Sequence, residues 1–467
     1  MREEGAFSSR TAVFQPDAAI GAVAMSQQGK RKLNRSVSWF GAFSVGYADV
    51  GADVLITLGL VALYARYLAP FAMATAAVVY VLVGLTYAKL SGAYSRAGGA
   101  QNFALEAFGS LHSFVAGWGL ILDYMIDMAL FSLAAVGYLG YFLRETLGVS
   151  VLLSNPWYAL AGVCLIAFLA TVNLLGVKYS SRLNEVLVVL SLATLALVLG
   201  IGGALHTYAS GFSGGRIAAV PSKDFLYAVT IAMASFVGVE AASQLAEEIV
   251  EPERNLPKAI HLAVAVTVVI ALTGSVYYAS AVGSNAEAAL HPLASLARCV
   301  PVLGPYLALW TSFIGFLLSL ASANAGVIGS SRVAFSMARD GLLPNHLATV
   351  NRRQVPSTSI IVFSGIASTL LLANAFLPSV NLLDLVASLY NFGALVAYMY
   401  AALALYRLST RVGGGVNTNR ALGLSTLAAC ALMLSLLIAL HEEGRILAAV
   451  WFISGLAFYA AVEAREG

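Results

Sequence analysis

The chain has 467 residues, 60% of them hydrophobic and only 10% charged, with a formal net charge of +3 and a mean hydropathy of +0.83. A soluble domain carries about 25% charged residues, so this composition excludes a soluble globular protein and places most of the chain in lipid. The small positive balance is no argument for a nucleic-acid partner.

Residues 1–34 are polar and mixed in charge. They read as a cytoplasmic tail and not as a cleaved signal peptide, because no apolar h-region with a small-residue cleavage site follows the charges. Beyond the tail, apolar runs of about 18–25 residues, the length that spans a bilayer, can be placed twelve times. They lie near 37–60, 69–89, 112–142, 157–176, 184–204, 224–246, 259–282, 303–334, 357–376, 382–406, 421–440 and 445–462. The runs are long, continuous and rich in Leu and Ala, which argues against strands. The expectation is an all-α integral membrane protein with twelve transmembrane helices.

Span 1 contains GAFSVGYADVGADVLITLG, Gly41 to Gly59. Gly46, Asp49, Gly51 and Asp53 all disfavour a continuous apolar helix in lipid, so an interruption is expected near Gly51. After span 2, Gly98-Gly99 predict a tight turn. Span 3 reads WGLILDYMIDMAL, with Asp123 and Asp127 at i and i+4 on one helical face. Span 6 carries the strongest signal. Tyr227 to Ser235 is uncharged, Gly238 and Glu240 then interrupt the apolar run, and an acidic, proline-punctuated connector from Glu247 to Pro257 leads to a new apolar helix near Lys258. A helix broken at bilayer depth is tolerated only where its freed backbone lines a protected cavity.

Five carboxyl groups thus fall at predicted membrane depth: Asp49, Asp53, Asp123, Asp127 and Glu240. A charge at the centre of a membrane helix costs at least about 2.5–3.5 kcal/mol on insertion scales. Five such groups without paired lysines imply protons, bound cations or a wet cavity. Two of them have a plainer alternative: Asp123 as a vestibule residue that caps or hydrogen-bonds, Asp49 as the end of a half-helix. Of the 26 Lys and Arg residues, 20 fall on one side if both termini are cytoplasmic, leaving Arg66, Arg144, Arg216, Lys223, Arg298 and Arg445 outside. By the positive-inside rule, both termini are expected in the cytoplasm. Cys164, Cys299 and Cys430 are isolated, and no histidine pair has metal-ligand spacing. Trp39, Trp118, Trp157, Trp310 and Trp451 read as interfacial or packing residues.

The segment SFVGVEAASQLAEEIVEPERNLPKAI, Ser235 to Ile260, closely resembles the sixth helix of the amino acid–polyamine–organocation (APC) superfamily of transporters. SGAYSRAGGAQNFALEAFG (Ser91–Gly109) is similar to that family's loop after helix 2, and SSRVAFSMARDGLLP (Ser330–Pro344) to the end of its helix 8. The three matches lie in the family's order and cover roughly residues 36–410. The resemblance implies a LeuT-like 5+5 inverted repeat with broken helices 1 and 6, substrate being held where the two breaks meet. The implied organisation is the 1–34 tail, a first repeat at 35–206, a second at 223–409, and a C-terminal pair at 420–467. It also implies that Arg332, Arg339 and Asp340 close a cytoplasmic gate through ion pairs with Glu247 or Glu248.

Carried over position by position, the substrate residues would be Gly51, Ala52, Asp53, Asp123, Tyr124, Ser235, Phe236 and Gly238. Ion coupling or gating would fall to Asp49, Asp127, Glu240, Ser191, Ser319 and Ser322. Three departures stand out, the first being Asp127, which sits where the family more usually has a neutral or hydroxyl residue. The family's G-S-G-like triplet, whose bare amides take a substrate carboxylate, reads Gly51-Ala52-Asp53 here, and its acid would repel an anion. The lysine of proton-coupled relatives is also missing, since no lysine occurs from Leu183 to His206 and its position falls near Ser191. Serine oxygens from Ser191, Ser319 and Ser322 would suit a hard cation, unless they only bond their own helix carbonyls.

The leading function is therefore a secondary transporter of amino acids or related amines at the cell membrane, the substrate neutral or cationic. The alternative is a proton- or sodium-coupled transporter of polyamines or of an inorganic cation such as potassium, since Ala48–Gly51 faintly resembles the G-D-I-G of potassium-uptake relatives. A membrane enzyme or receptor lacks support: there is no H-E-x-x-H, no nucleotide loop and no soluble catalytic domain. Expected partners are a small molecule and the bilayer, with no nucleic acid, no cofactor beyond a proton or sodium ion, and a monomer or homodimer as the assembly.

Overall fold

The computed structural model describes residues 33–210, 220–285, 288–300, 302–376 and 382–466. The expected tail lies outside these up to residue 32, as does Arg216. Apart from an isolated bridge between Val37 and Ile249, the regular structure among the described residues is helical. In chain order come α1 (Trp39–Ala65), α2 (Ala69–Ala93), α3 (Ala100–Phe108) and α4 (Ser110–Leu147). Next are α5 (Trp157–Leu175) and α6 (Val177–Leu195), the latter running through a wide turn, Ala196–Gly202, into α7 (Gly203–Ser210). Then follow α8 (Ser222–Ala234), α9 (Ala241–Gln244), α10 (Pro252–Ala281), α11 (Pro292–Arg298) and α12 (Gly304–Arg339). The last four are α13 (Ser357–Phe376), α14 (Leu382–Arg407), α15 (Val416–Leu440) and α16 (Glu442–Glu466). Nine helical stretches among the described residues are long and apolar enough to cross a membrane, the first of them Trp39–Ala93. The protein is a multi-pass, all-helical membrane protein.

Helix ends follow local chemistry. The Ser38 hydroxyl accepts the Gly41 N–H at 3.0 Å and caps α1. α2, α10 and α12 each carry a proline in their first turn, where the missing N–H costs nothing. Gly148, at φ +72°, ends α4 with its N–H bonded back to the Arg144 carbonyl at 3.1 Å.

The two expected interruptions come out differently. α1 is helical without a break from Trp39 to Ala65, so the interruption expected near Gly51 is corrected. The glycines serve close packing instead. A Cβ on Gly51 would lie 2.8 Å from the ring of Tyr47 in the same helix, and one on Gly46 would lie 3.2 Å from Ala242. The acids of α1 find neighbours on other helices, so the backbone need not open to accommodate them.

Between α8 and α9 the chain does break, over Ser235–Glu240. Gly238 sits at φ +116°, a conformation that side chains other than glycine's rarely adopt. A Cβ there would also fall 2.6 Å from the Asp49 carboxyl carbon. Two independent constraints therefore reserve the position for glycine.

α4 and α12 make the most extensive helix pair, and small residues set their spacing, as is usual between membrane helices. A Cβ on Gly326 would stand 2.4 Å from Asp127 Oδ2 and 3.1 Å from the backbone of Tyr124 and Met128. Backbone cannot swing aside as a side chain can. Gly326→Ala should lower stability by about 1–3 kcal/mol, the usual cost of overpacking, and Gly326→Leu should leave no monodisperse protein. Thermal unfolding in detergent checks both, and an Ala variant as stable as the parent would refute the packing account.

Candidate functional site

α1 and α4 each present two acids one turn apart, Asp49 and Asp53 on the first, Asp123 and Asp127 on the second. Glu240 joins them from the end of the break. All five are at most 2% exposed. The Ser322 hydroxyl of α12 ties the two helices together, reaching Asp127 Oδ1 at 3.1 Å and Asp49 Oδ1 at 3.5 Å. The Asp49 carboxyl lies within hydrogen-bonding reach of Asp127, and that of Asp123 within reach of Glu240. None of the five forms an ion pair with a basic side chain among the described residues.

The broken backbone is satisfied from α14. Glu240 Oε2 accepts the Tyr398 hydroxyl at 2.5 Å and the Gly238 N–H at 3.2 Å, and that N–H is shared with the Tyr398 oxygen at 3.2 Å. Tyr390, also on α14, donates to Asp53 Oδ2 at 2.8 Å. Ser235 pairs with Thr57 of α1, and the ring of Phe236 lies 5.2 Å from that of Tyr80 on α2. Tyr87 meets Tyr398 edge-on at 5.8 Å.

Around this centre the fully buried Tyr87 hydroxyl has no hydrogen-bond partner, and Asp123 Oδ1, Asp127 Oδ2 and Glu240 Oε1 have no donor beside them, so the facing carboxyls can bond one another only through a proton held on one member of each pair. Unsatisfied buried groups are few in folded proteins, and each calls for an explanation. Unsatisfied atoms also occur elsewhere in the bundle, as at Asn102 and Ser132, but here four of them lie in one acid-rich centre beside a broken helix. That centre can hold protons or attract a cation.

The expected site residues thus divide. Asp49, Asp53, Asp123, Asp127, Glu240 and Ser322 gather together, with Tyr124, Ser235, Phe236 and Gly238 beside them. Gly51 and Ala52 keep their amides inside a continuous helix. Ser191 stands apart, its hydroxyl donating to the Leu187 carbonyl of its own helix at 2.8 Å. The α6–α12 register, Asn184 on Ala321 and Thr194 on Trp310, sets Ser191 about six residues, or roughly 9 Å, along the helix axis from the level of Ser319. Ser319 is buried one turn before Ser322 on α12.

Sequence reasoning missed Tyr80, Tyr87, Tyr390, Tyr398 and Thr57. The signal was available, because tyrosines belong at the ends of membrane spans. These four fall inside apolar runs, where each hydroxyl needs a partner.

Beyond the break, the connector is latched to the end of α12. Glu248 and Arg332, both fully buried, pair through Oε2–Nε at 3.0 Å and Oε1–Nη2 at 3.2 Å. Glu247 meets Arg339 at 2.8 Å and accepts the Ala97 N–H at 3.2 Å. Asp340 does not join the connector as expected. Its carboxylate takes Arg96 at 2.8 Å and Gln101 at 3.1 Å, because the turn at Gly98-Gly99 brings that loop closer to it. Burial would push Glu247 up, but the hydrogen bond and charge of Arg339 outweigh it and hold this carboxyl below its usual range. For Glu248 burial outweighs Arg332, and its carboxyl is pushed up.

Comparison with known proteins agrees with this arrangement. The family profile described as amino acid permease matches residues 37–458. A branched-chain amino acid permease of Bacillus subtilis is 25% identical over 92% of this chain and 93% of its own length. The low-affinity putrescine importer of Escherichia coli is 29% identical over 72% of both chains, and a methylthioribose transporter of Bacillus subtilis is 27% identical over 82% of this chain and 84% of its own. These relatives are transporters, not enzymes. With its profile match, its motifs in order and its bundle of apolar helices, the chain belongs to the amino acid permease family of the APC superfamily.

Proposed function

We propose that the protein is a secondary transporter moving amino acids or related amines across the cell membrane by alternating access, with neutral or cationic substrates preferred. The observation that carries this reading is the gathering of five buried carboxyl groups, without a basic partner among the described residues, against the break at Gly238. Carboxylates in a low-dielectric interior attract cations and repel anions. Among the relatives, one is named for branched-chain amino acids and one for putrescine, which are neutral and cationic solutes.

The proposed architecture has twelve crossings. The 55-residue stretch Trp39–Ala93 supplies two, and the broken α8–α9 pair and the apolar Ser357–Ala373 helix add two more to the other eight stretches. Residues 35–206 and 223–409 form the two inverted repeats, the break in the second having no counterpart in α1. Residues 420–467 form the C-terminal pair, and the 1–34 tail and the C-terminus face the cytoplasm. The coupling ion is a proton carried by the carboxyl cluster, for the serine set that would suit sodium is not brought to one point.

A second reading within this function is a substrate without a carboxylate, such as a diamine. Its support is α1: the amides of Gly51–Asp53 are held in a continuous helix and are not bare for an anion. Uptake into proteoliposomes of labelled leucine, arginine, putrescine and glutamate tests both readings. Glutamate is expected to be transported least, with putrescine above leucine if the second reading holds. Preferred uptake of glutamate would overturn the proposal.

A further inference from the structure

We propose that a half-open pocket between α2, α10 and the turn after α14 binds the phosphate of an anionic phospholipid. It measures about 450 Å³ and is lined by Lys89 and Gly92 of α2, Pro257 and His261 of α10, and Arg411 and Gly413 of the turn. Basic residues come from all three elements, and no carboxylate lines it. Lys89, His261 and Arg411 form no ion pair among the described residues. Arg411 leans on the Tyr94 hydroxyl. The Lys89 ammonium lies over the bare backbone of Gly414, 3.1 Å from where a Cβ would stand. Cationic groups are thus gathered around a space without an internal anion, the arrangement of basic pockets that take lipid headgroups between membrane helices.

The surroundings favour a lipid over a free phosphate. Leu262, next to His261, begins a line of exposed apolar side chains with Val269 and Val276, which are 37%, 61% and 39% exposed. Seven-residue spacing keeps them on nearly one face of α10, about 100° around the helix from His261, so they form the lipid-facing side that flanks the pocket. An acyl chain can lie against such a flank, which a soluble phosphate does not use. A bound headgroup would bridge α10, which follows the latched connector, to the turn between α14 and α15. Placing it in the cytoplasmic leaflet rests on the orientation proposed above, whereas the chemistry of the pocket does not.

The full chain, purified in neutral detergent, is titrated with phosphatidylglycerol, phosphatidylcholine or inorganic phosphate while thermal unfolding is followed. Phosphatidylglycerol alone is expected to raise Tm saturably. Each of Lys89→Gln and Arg411→Gln should weaken its half-saturation about fivefold, the effect of one basic residue near an anionic surface. His261→Glu, at an exposed position, should weaken it too and serves if the other variants fold poorly. Unchanged half-saturation in the variants overturns the site. Equal stabilisation by phosphatidylcholine overturns its charge selectivity, and stabilisation by inorganic phosphate alone makes it a soluble-phosphate site. Labelling of a cysteine introduced at Gly413 from the outside would reverse the leaflet and leave the lipid result standing.

Discussion

Glu240→Gln and Asp49→Asn are each expected to cut gradient-driven accumulation sharply while leaving most of substrate counterflow intact. Glu240 is the point where the break, α4 and α14 meet. Its carboxyl accepts from Tyr398 and Gly238 and faces Asp123. An amide has nearly the same shape and can still accept both bonds through its oxygen, so the break should persist. What it cannot do is gain and lose a proton. Asp49 lies against Gly238, shares Ser322 with Asp127 and occupies the other end of the same cluster. If protonation here drives transport, removing it uncouples ion from substrate while leaving the packing around the break in place. Coupling free energies between sites correspond to about 5- to 150-fold effects, so accumulation under an imposed proton gradient should fall by a factor in that range. Counterflow, which needs no gradient, should fall much less. Full pH-dependent accumulation in both variants would make the carboxyls structural.

How far the sequence foretold this centre depends on the residue. The five acids were legible because charge at bilayer depth is costly wherever it falls, and a costly residue in a long apolar run is conspicuous. The break at Gly238 was legible for a related reason, as glycine, acid and prolines follow one another over a short stretch. α1 shows the limit of that reasoning. It carries the same residue types, yet Gly46 and Gly51 accommodate Ala242 and the Tyr47 ring while the helix continues. Composition alone does not distinguish a glycine that releases the backbone from one that lets a neighbour close. The tyrosines of α2 and α14 were hidden differently. Their partners lie far along the chain, Asp53 with Tyr390 and Glu240 with Tyr398, and only the packing of α14 beside the break brings them together.

The largest effect on stability is expected at the latch, from Arg332→Ala. Arg332 and Glu248 are both fully buried and held through two hydrogen bonds, so truncating the arginine leaves a buried acid without its counter-charge. Breaking such a pair from one side costs about 3–5 kcal/mol. Replacing both members with apolar residues of similar volume, as in Arg332→Met with Glu248→Leu, should recover most of that loss, because the cost lies in the orphaned charge. The pH dependence has a sign for each member of the connector. Glu247, held below its usual range, contributes stability at neutral pH that is lost as pH falls through its depressed value. Glu248, pushed up by burial, runs the other way: its ionised form weighs against folding more as pH rises through its elevated value. Acidification should therefore discharge the Arg332 pair before the Arg339 pair. Because protonating Glu248 removes a penalty and protonating Glu247 removes a contribution, acid sensitivity at the connector should come from Glu247: in Glu247→Gln, Tm should fall less on acidification than in the parent chain. Equal Tm for Arg332→Ala and the parent, or the same acid dependence of Tm in Glu247→Gln and the parent, would overturn this account of the connector.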